Sequence, residues 1–137
     1  MIHAPFTNAD YVLTTSTENW GCAAVFDGAT YTDDMLWNVE AVDGGYTFYV
    51  NGTKDNWLYT LSSSNNGMRV GNAKEGNVWD IDPTTGYLKT TDSAGNSRYL
   101  GVYDNNGGSA VDNPNFRAYK NTTGNTKDQT ITFYVVG

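Results

Sequence analysis

Leu36-Trp37-Asn38-Val39 and Val78-Trp79-Asp80-Ile81 set a tryptophan in the same context twice, and these two stretches decide the fold prediction. The tryptophans lie 42 residues apart, and each is followed a few residues later by a Gly-Tyr pair, at Gly45 and again at Gly86. A constant spacing of about forty residues is typical of a repeated supersecondary unit. We therefore predict that the chain is built from repeats.

A third, more divergent copy follows the first two. Residues 98–102 match residues 56–60 and, more loosely, residues 10–14, and Ile131 takes the position of the tryptophan. The spacing from the second tryptophan to Ile131 is 52 residues, which indicates an insertion within the third copy. We place this insertion at residues 104–115, where the sequence is rich in Asp, Asn and Gly.

Each copy reads as short β-strands. The runs alternate in polarity and are rich in aromatic and β-branched residues, while Asn-Gly and Gly-Gly pairs between them favour tight turns. The predicted strands are 11–15, 22–26, 36–42 and 46–50 in the first copy, 57–61, 68–71, 78–82 and 87–91 in the second, and 99–103, 116–119 and 130–136 in the third. The third copy lacks a fourth strand, and the N-terminal segment 2–6 is predicted to replace it.

Units of this size cannot bury an apolar face alone, so we expect them to close around one shared core. The predicted fold is an all-β, β-trefoil domain over 1–137, with repeats at about 8–52, 53–95 and 96–137. A two-sheet β-sandwich is the alternative. The residues expected to point inward are Val12, Leu58 and Leu100, then Trp37, Trp79 and Ile131, then Val39, Ile81 and Phe133.

Charge and composition exclude several partners and favour others. The 137 residues carry a net charge of −7 with scattered lysines and arginines, so nucleic acid and anionic membranes are not expected partners. No apolar run approaches the ~20 residues that span a bilayer. Scarce cysteine with abundant Tyr, Asn, Thr and Gly suits an extracellular or cell-surface domain, although this chain shows no signal peptide. The sequence leaves the oligomeric state open.

The three-fold pattern resembles the ricin-type lectin trefoils, whose repeats carry a Gln-x-Trp signature in the third strand. The matching triplets here are 35–37, 77–79 and 129–131, of which two keep the tryptophan and one keeps the glutamine. The segments 98–103, 115–119 and 127–134 are also similar to a C-terminal module that recurs in secreted and surface proteins of gut Bacteroidetes. This second resemblance implies an extracellular accessory role without a defined ligand.

Catalytic and metal-dependent chemistry finds little support in the sequence. A single histidine and a single cysteine, with no nucleophile-elbow motif, leave nucleophilic catalysis without a base, so we predict that the chain is not an enzyme and needs no cofactor. Residues 104–108 with Asp112 and Asn113 offer oxygen ligands, but the spacing is not that of an EF-hand. We interpret them as a polar surface insertion and predict no metal site.

Glycan recognition requires a flat aromatic face for the sugar C–H surface and planar polar groups for the hydroxyls. The loops of each copy supply both. The candidate ligand-binding residues are Asp104, Asn105, Asn115, Arg117 and Tyr119 in the third copy, Asn65, Asn66 and Arg69 in the second, and Glu18, Asn19 and Trp20 in the first. Tyr119 could equally pack within the fold, and Arg117 could make an internal cation–π contact.

Three functions remain open at this point. The first is a non-catalytic, lectin-like module that binds carbohydrate. The second is a protein-interaction domain, such as an adhesin, a virion surface protein or an inhibitor, that uses the 104–115 loop, since insertions into a repeated scaffold commonly carry function. The third is a structural spacer within a larger secreted protein.

Overall fold

The computed structural model describes residues 1–5, 10–17, 21–50, 53–63, 67–103, 115–122 and 130–133. Twelve strands are assigned within these ranges, together with one 3-10 turn at Asp33–Met35. The strands are β1 (Ile2–Pro5), β2 (Asp10–Thr17), β3 (Gly21–Val25), β4 (Trp37–Val42), β5 (Gly45–Val50), β6 (Thr53–Tyr59), β7 (Arg69–Gly71), β8 (Asp80–Ile81), β9 (Leu88–Thr91), β10 (Ser97–Tyr103), β11 (Asn115–Tyr119) and β12 (Thr132–Phe133). The all-β prediction is confirmed.

The strands form two antiparallel sheets. The larger has the order β12-β1-β2-β3-β11-β10-β9-β8, and the smaller has the order β4-β5-β6-β7. An antiparallel bridge between Tyr46 and Trp79 connects the smaller sheet to the chain just before β8. Among the described residues the ladders do not close into a continuous barrel.

The same pairing pattern occurs three times along the chain. The first and second strands of each copy pair as β2–β3, β6–β7 and β10–β11. The third and fourth strands of each predicted copy pair as β4–β5, β8–β9 and β12–β1. The fourth strand then pairs with the first strand of the next predicted copy, as β5–β6, β9–β10 and β1–β2. The N-terminal strand β1 therefore pairs with both β12 and β2, at the place predicted for segment 2–6.

The register of these ladders also repeats. A leucine of the first strand faces a smaller apolar residue of the second in every copy: Leu13 faces Ala23, Leu58 faces Val70, and Leu100 faces Ala118. All three leucines are fully buried in one core cluster. This common register aligns the three copies residue by residue.

Trp37 at the start of β4 and Trp79 just before β8 each donate a hydrogen bond to the backbone of a distant strand. The indole Nε1–H of Trp37 donates to the Leu13 carbonyl at 3.0 Å, and that of Trp79 donates to the Leu58 carbonyl at 3.1 Å. Ile131, buried at the same position of the third copy, has no side-chain donor and contributes apolar packing alone. The two tryptophans that match in the sequence therefore make the same kind of contact, each with the carbonyl of a buried leucine.

Two details of the predicted inward set are wrong. Leu13, and not Val12, is the partner of Leu58 and Leu100, because Val12 lies in a separate small cluster with Phe26 and Met35. Of the last three residues predicted to point inward, Val39 is 56% exposed and Phe133 is 38% exposed. The Phe133 ring instead stacks on the buried Phe48 ring, with centroids 5.7 Å apart.

Close backbone contacts join successive copies. The Tyr46 and Trp79 backbones exchange two hydrogen bonds of 2.8 Å, and the Ile131 amide donates to the Gly86 carbonyl at 3.1 Å. Gly45 permits the first contact, because a Cβ atom at this position would collide with the Trp79 carbonyl. A glycine is therefore required where the first copy meets the second.

A buried ion pair holds the second and third copies together. Arg98 of β10 donates through Nε to the Asp92 carboxylate at 2.9 Å, and both side chains are fully shielded from solvent. Its Nη atoms donate to the carbonyls of Ala118, Leu61 and Ser62, at 3.2, 3.1 and 3.3 Å. One guanidinium thus binds β11, the segment that follows β6 and the turn between β9 and β10.

Candidate functional site

The structure describes four of the eleven predicted ligand-binding residues: Arg69, Asn115, Arg117 and Tyr119. Glu18, Asn19, Trp20, Asn65, Asn66, Asp104 and Asn105 lie outside the described residues, as does the rest of the predicted 104–115 insertion up to residue 114. The geometry of the site can therefore be built mainly from β10 and β11.

Asn115 and Arg117 form a fixed polar group at one end of β11. Two residues apart on a strand, they share a face of the sheet, and Tyr103 of β10 lies opposite Asn115. The Arg117 Nε–H donates to the Asn115 Oδ1 at 2.8 Å, and the guanidinium carbon lies 4.1 Å from the centroid of the Tyr103 ring. A cation–π contact and a hydrogen bond together orient the guanidinium.

Further tyrosines share this face of the sheet. Tyr99 of β10 lies opposite Tyr119, and its ring meets the Tyr87 ring edge-on, with centroids 5.9 Å apart. Tyr119 is only 7% exposed, so its ring offers little surface to a ligand. We call the half-buried set Tyr87, Tyr99, Tyr103 and Arg117 the tyrosine face.

Arg69, the predicted residue of the second copy, lies elsewhere. It sits on β7 in the smaller sheet, opposite Tyr59, and its Nη1 donates to the carbonyl of the preceding Met68 at 3.0 Å. The structure thus brings Asn115, Arg117 and Tyr119 together on β11 and places Arg69 in the other sheet.

A polar cavity of about 390 Å³ lies on the second copy. Its lining includes charged side chains at Lys74, Glu75, Asp80, Lys89 and Asp92, together with hydroxyl and amide groups, and no aromatic ring. Sequence reasoning missed this cavity. The hairpin predicted from strands 78–82 and 87–91 is consistent with the observed pairing of Asp80 with Lys89. The sequence does not predict that the loop before β8 lies against β9 and closes the cavity.

Two carboxylates stiffen the wall of this cavity. Glu75 accepts the Ser62 amide at 3.2 Å through one oxygen and the Ser93 amide at 2.7 Å through the other. Hydrogen bonds from the Ser93 side chain, and then from the backbone amides, hold the pKa of Glu75 below its ordinary value of 4.5. Glu75 therefore links the segment that follows β6 to the turn after β9.

Asp92 is the second of these carboxylates. Burial alone would raise its pKa, but hydrogen bonds from the Asn96 amide, the Arg98 side chain and the Ala94 amide outweigh that effect and hold the pKa below 3.8. The carboxylate is thus retained in its charged form within the protein.

Stability is expected to fall steeply with acid, below about pH 4. A carboxylate whose pKa is lower in the folded than in the unfolded chain stabilises the fold above its unfolded value, and this contribution disappears as the pH falls through the folded value. Urea unfolding between pH 7 and pH 3 measures the effect. An Asp92→Asn chain should lose less stability over this interval than the wild type, and an identical loss in both chains would contradict the assignment.

The part of the chain that the structure describes holds no group of three or more His, Cys, Asp or Glu side chains placed to hold a metal ion. No helix within it is long and apolar enough to cross a membrane.

Comparison of the chain with known protein families, with characterised proteins and with solved structures finds no match.

Proposed function

We propose that this chain is a non-catalytic carbohydrate-binding module with a β-trefoil architecture, acting at the cell surface or outside the cell. The architecture is supported by the strand pairing, which recurs three times with the same leucine register, and by the forty-residue period of the sequence. A sandwich would give no reason for either repetition.

The tyrosine face is the observation on which the binding function depends. It presents aromatic rings beside a guanidinium whose plane is fixed by the Tyr103 ring and by Asn115. Aromatic rings pack against the C–H face of a sugar, and a planar donor binds two neighbouring hydroxyls at once. Because Asn115 and Tyr103 hold the guanidinium in place, little side-chain entropy is lost when a ligand binds.

A glycan array followed by calorimetry tests this function. We expect at least one neutral glycan to bind, and Tyr103→Ala and Arg117→Ala each to weaken that binding by about tenfold, equivalent to about 1.4 kcal/mol. Arg69→Ala is the matched control, since it removes another half-buried strand arginine from the other sheet. Absence of glycan binding, or an equal loss in the control, would count against the proposal.

Protein recognition through the insertion is the second candidate. Tyr103 and Asn115 face each other across β10 and β11, so the insertion begins and ends beside the tyrosine face. Insertions into a scaffold commonly carry function, so the predicted insertion is a candidate contact with a partner protein. A chain shortened between Tyr103 and Asn115 that keeps glycan binding and loses binding to a host-surface protein would favour this candidate.

A further inference from the structure

We propose that the ligand is a neutral oligosaccharide of several sugar units, which lies across strands β8 to β11 with one terminal unit in the polar cavity of the second copy. This inference rests on the proposed carbohydrate-binding function and specifies the length and charge of its ligand. It also assigns a binding role to residues for which the sequence predicted none.

A continuous row of side chains connects the cavity to the tyrosine face. Asp80 of β8 lies opposite Lys89 of β9, and Lys89 lies opposite Tyr99 of β10. Residues directly opposite each other on antiparallel strands project from the same face of the sheet with their Cβ atoms about 5 Å apart. Asp80 and Lys89 line the cavity, and Tyr99 belongs to the tyrosine face, so the two regions are neighbours on one surface.

The dimensions of this surface fit an oligosaccharide better than a single sugar. Adjacent strands are about 4.8 Å apart, so the path from β8 to β11 covers about 14 Å. Tyr99 and Arg117 lie on neighbouring strands, where diagonal partners are about 7–8 Å apart. A monosaccharide bound at Arg117 would therefore not reach the cavity.

The cavity suits a hydroxyl-rich terminal unit. It has no aromatic ring for a flat sugar face, but its lining supplies both donors and acceptors, including Asn77, Thr91 and Ser93. The carboxylates of Glu75 and Asp92 are already committed to backbone amides and to Arg98. Lys74, Asp80 and Lys89 carry the remaining charges of the lining, and they are of mixed sign.

The charge of the whole chain disfavours an acidic ligand. A net charge of −7 repels polyanionic glycans at long range. Glu75 joins the turn after β9 to the segment that follows β6 in the ligand-free protein. One wall of the cavity is therefore preorganised. These two properties favour a neutral oligosaccharide that binds without rearrangement of the cavity wall.

Calorimetry with homo-oligomers of defined length is the test. The probes are β-1,4-linked glucose, xylose and mannose and α-1,4-linked glucose, each as a series from one to six units. We expect the affinity for at least one series to rise by about tenfold or more between two and four units. Asp80→Ala and Lys74→Ala should remove this gain with length and leave disaccharide binding unchanged, while Arg117→Ala should weaken both.

Asp55→Ala is the matched control, because it removes an exposed strand carboxylate from the smaller sheet. Circular dichroism confirms that each variant folds. Affinity that is independent of length, or a length gain that survives Asp80→Ala and Lys74→Ala, would overturn the oligosaccharide inference and leave the proposed function intact. If neither these series nor the glycan array gives any binding, the proposed function fails, and this inference fails with it.

Discussion

Replacing Asp92 with asparagine is expected to lower the free energy of unfolding by about 3–5 kcal/mol, the usual effect of removing one partner of a buried ion pair. The substitution leaves the Arg98 guanidinium buried with an uncompensated charge, although its bonds to the Leu61, Ser62 and Ala118 carbonyls remain. Urea unfolding at pH 7, followed by tryptophan fluorescence, measures the change.

Asp82 provides the matched control for this prediction. Its carboxylate also accepts two amides of the turn that follows it, from Thr84 and Thr85, but within the described part of the chain it has no buried arginine partner. Asp82→Asn should therefore cost far less stability than Asp92→Asn. Similar losses in the two variants would show that turn capping, and not the ion pair, stabilises this region.

A double variant separates the charge from the packing. Asp92→Leu combined with Arg98→Met replaces the ion pair by apolar side chains, and such exchanges are often close to neutral. We expect this chain to be more stable than the Asp92→Asn chain. A double variant that is less stable than Asp92→Asn would show that the network of carbonyl contacts around Arg98 matters more than the balance of charge.

The strands could be predicted because their signals are local. The runs around Trp37 and Trp79 combine β-branched residues with turn glycines, and the structure has strands β4 and β8 in these positions. The participation of segment 2–6 as a strand was also predicted, and β1 pairs with β12.

The one-residue misalignment of the first copy has a simple cause. Val12 and Leu13 are both apolar and both buried, so the sequence pattern does not say which of them faces the shared core. A shift of one residue moves a side chain to the opposite face of the sheet. The hydrogen bond from Trp37 to the Leu13 carbonyl settles the alignment, and it joins residues 24 positions apart.

The sequence likewise did not predict how exposed a residue on one face of a sheet is. Val39 follows Trp37 at the spacing of a strand face, and alternation correctly places the two on one side. Alternation does not show where the covering layer ends, and Val39 lies beyond it with 56% of its surface exposed.

Long-range contacts explain why half of the candidate site was missed. Only the predicted insertion separates Tyr103 from Asn115 and Arg117 in the sequence. Their proximity on two paired strands could therefore be predicted. The cavity depends on contacts between distant segments, such as the one that Glu75 makes between Ser62 and Ser93. No local motif encodes such a contact.

Replacing Trp79 with alanine is expected to lower the free energy of unfolding by about 3–5 kcal/mol, the range found for large aromatic residues in a core. Trp79 is the largest fully buried side chain among the described residues, and its substitution also removes the hydrogen bond to the Leu58 carbonyl. Trp57→Ala is the control, because Trp57 also donates to a backbone carbonyl, that of Ala73, but is only partly buried. It should lose clearly less stability in the same urea titration.

Trp79→Ile tests whether the three copies share one packing scheme. It gives the second copy the residue that the third copy carries at Ile131, which is buried without an indole hydrogen bond. If the copies surround a common core, isoleucine should recover part of the stability that alanine loses, because it restores a branched apolar side chain at a position already aligned with Ile131. An isoleucine variant no more stable than the alanine variant, or a Trp57→Ala loss equal to that of Trp79→Ala, would contradict the shared core on which the trefoil proposal depends.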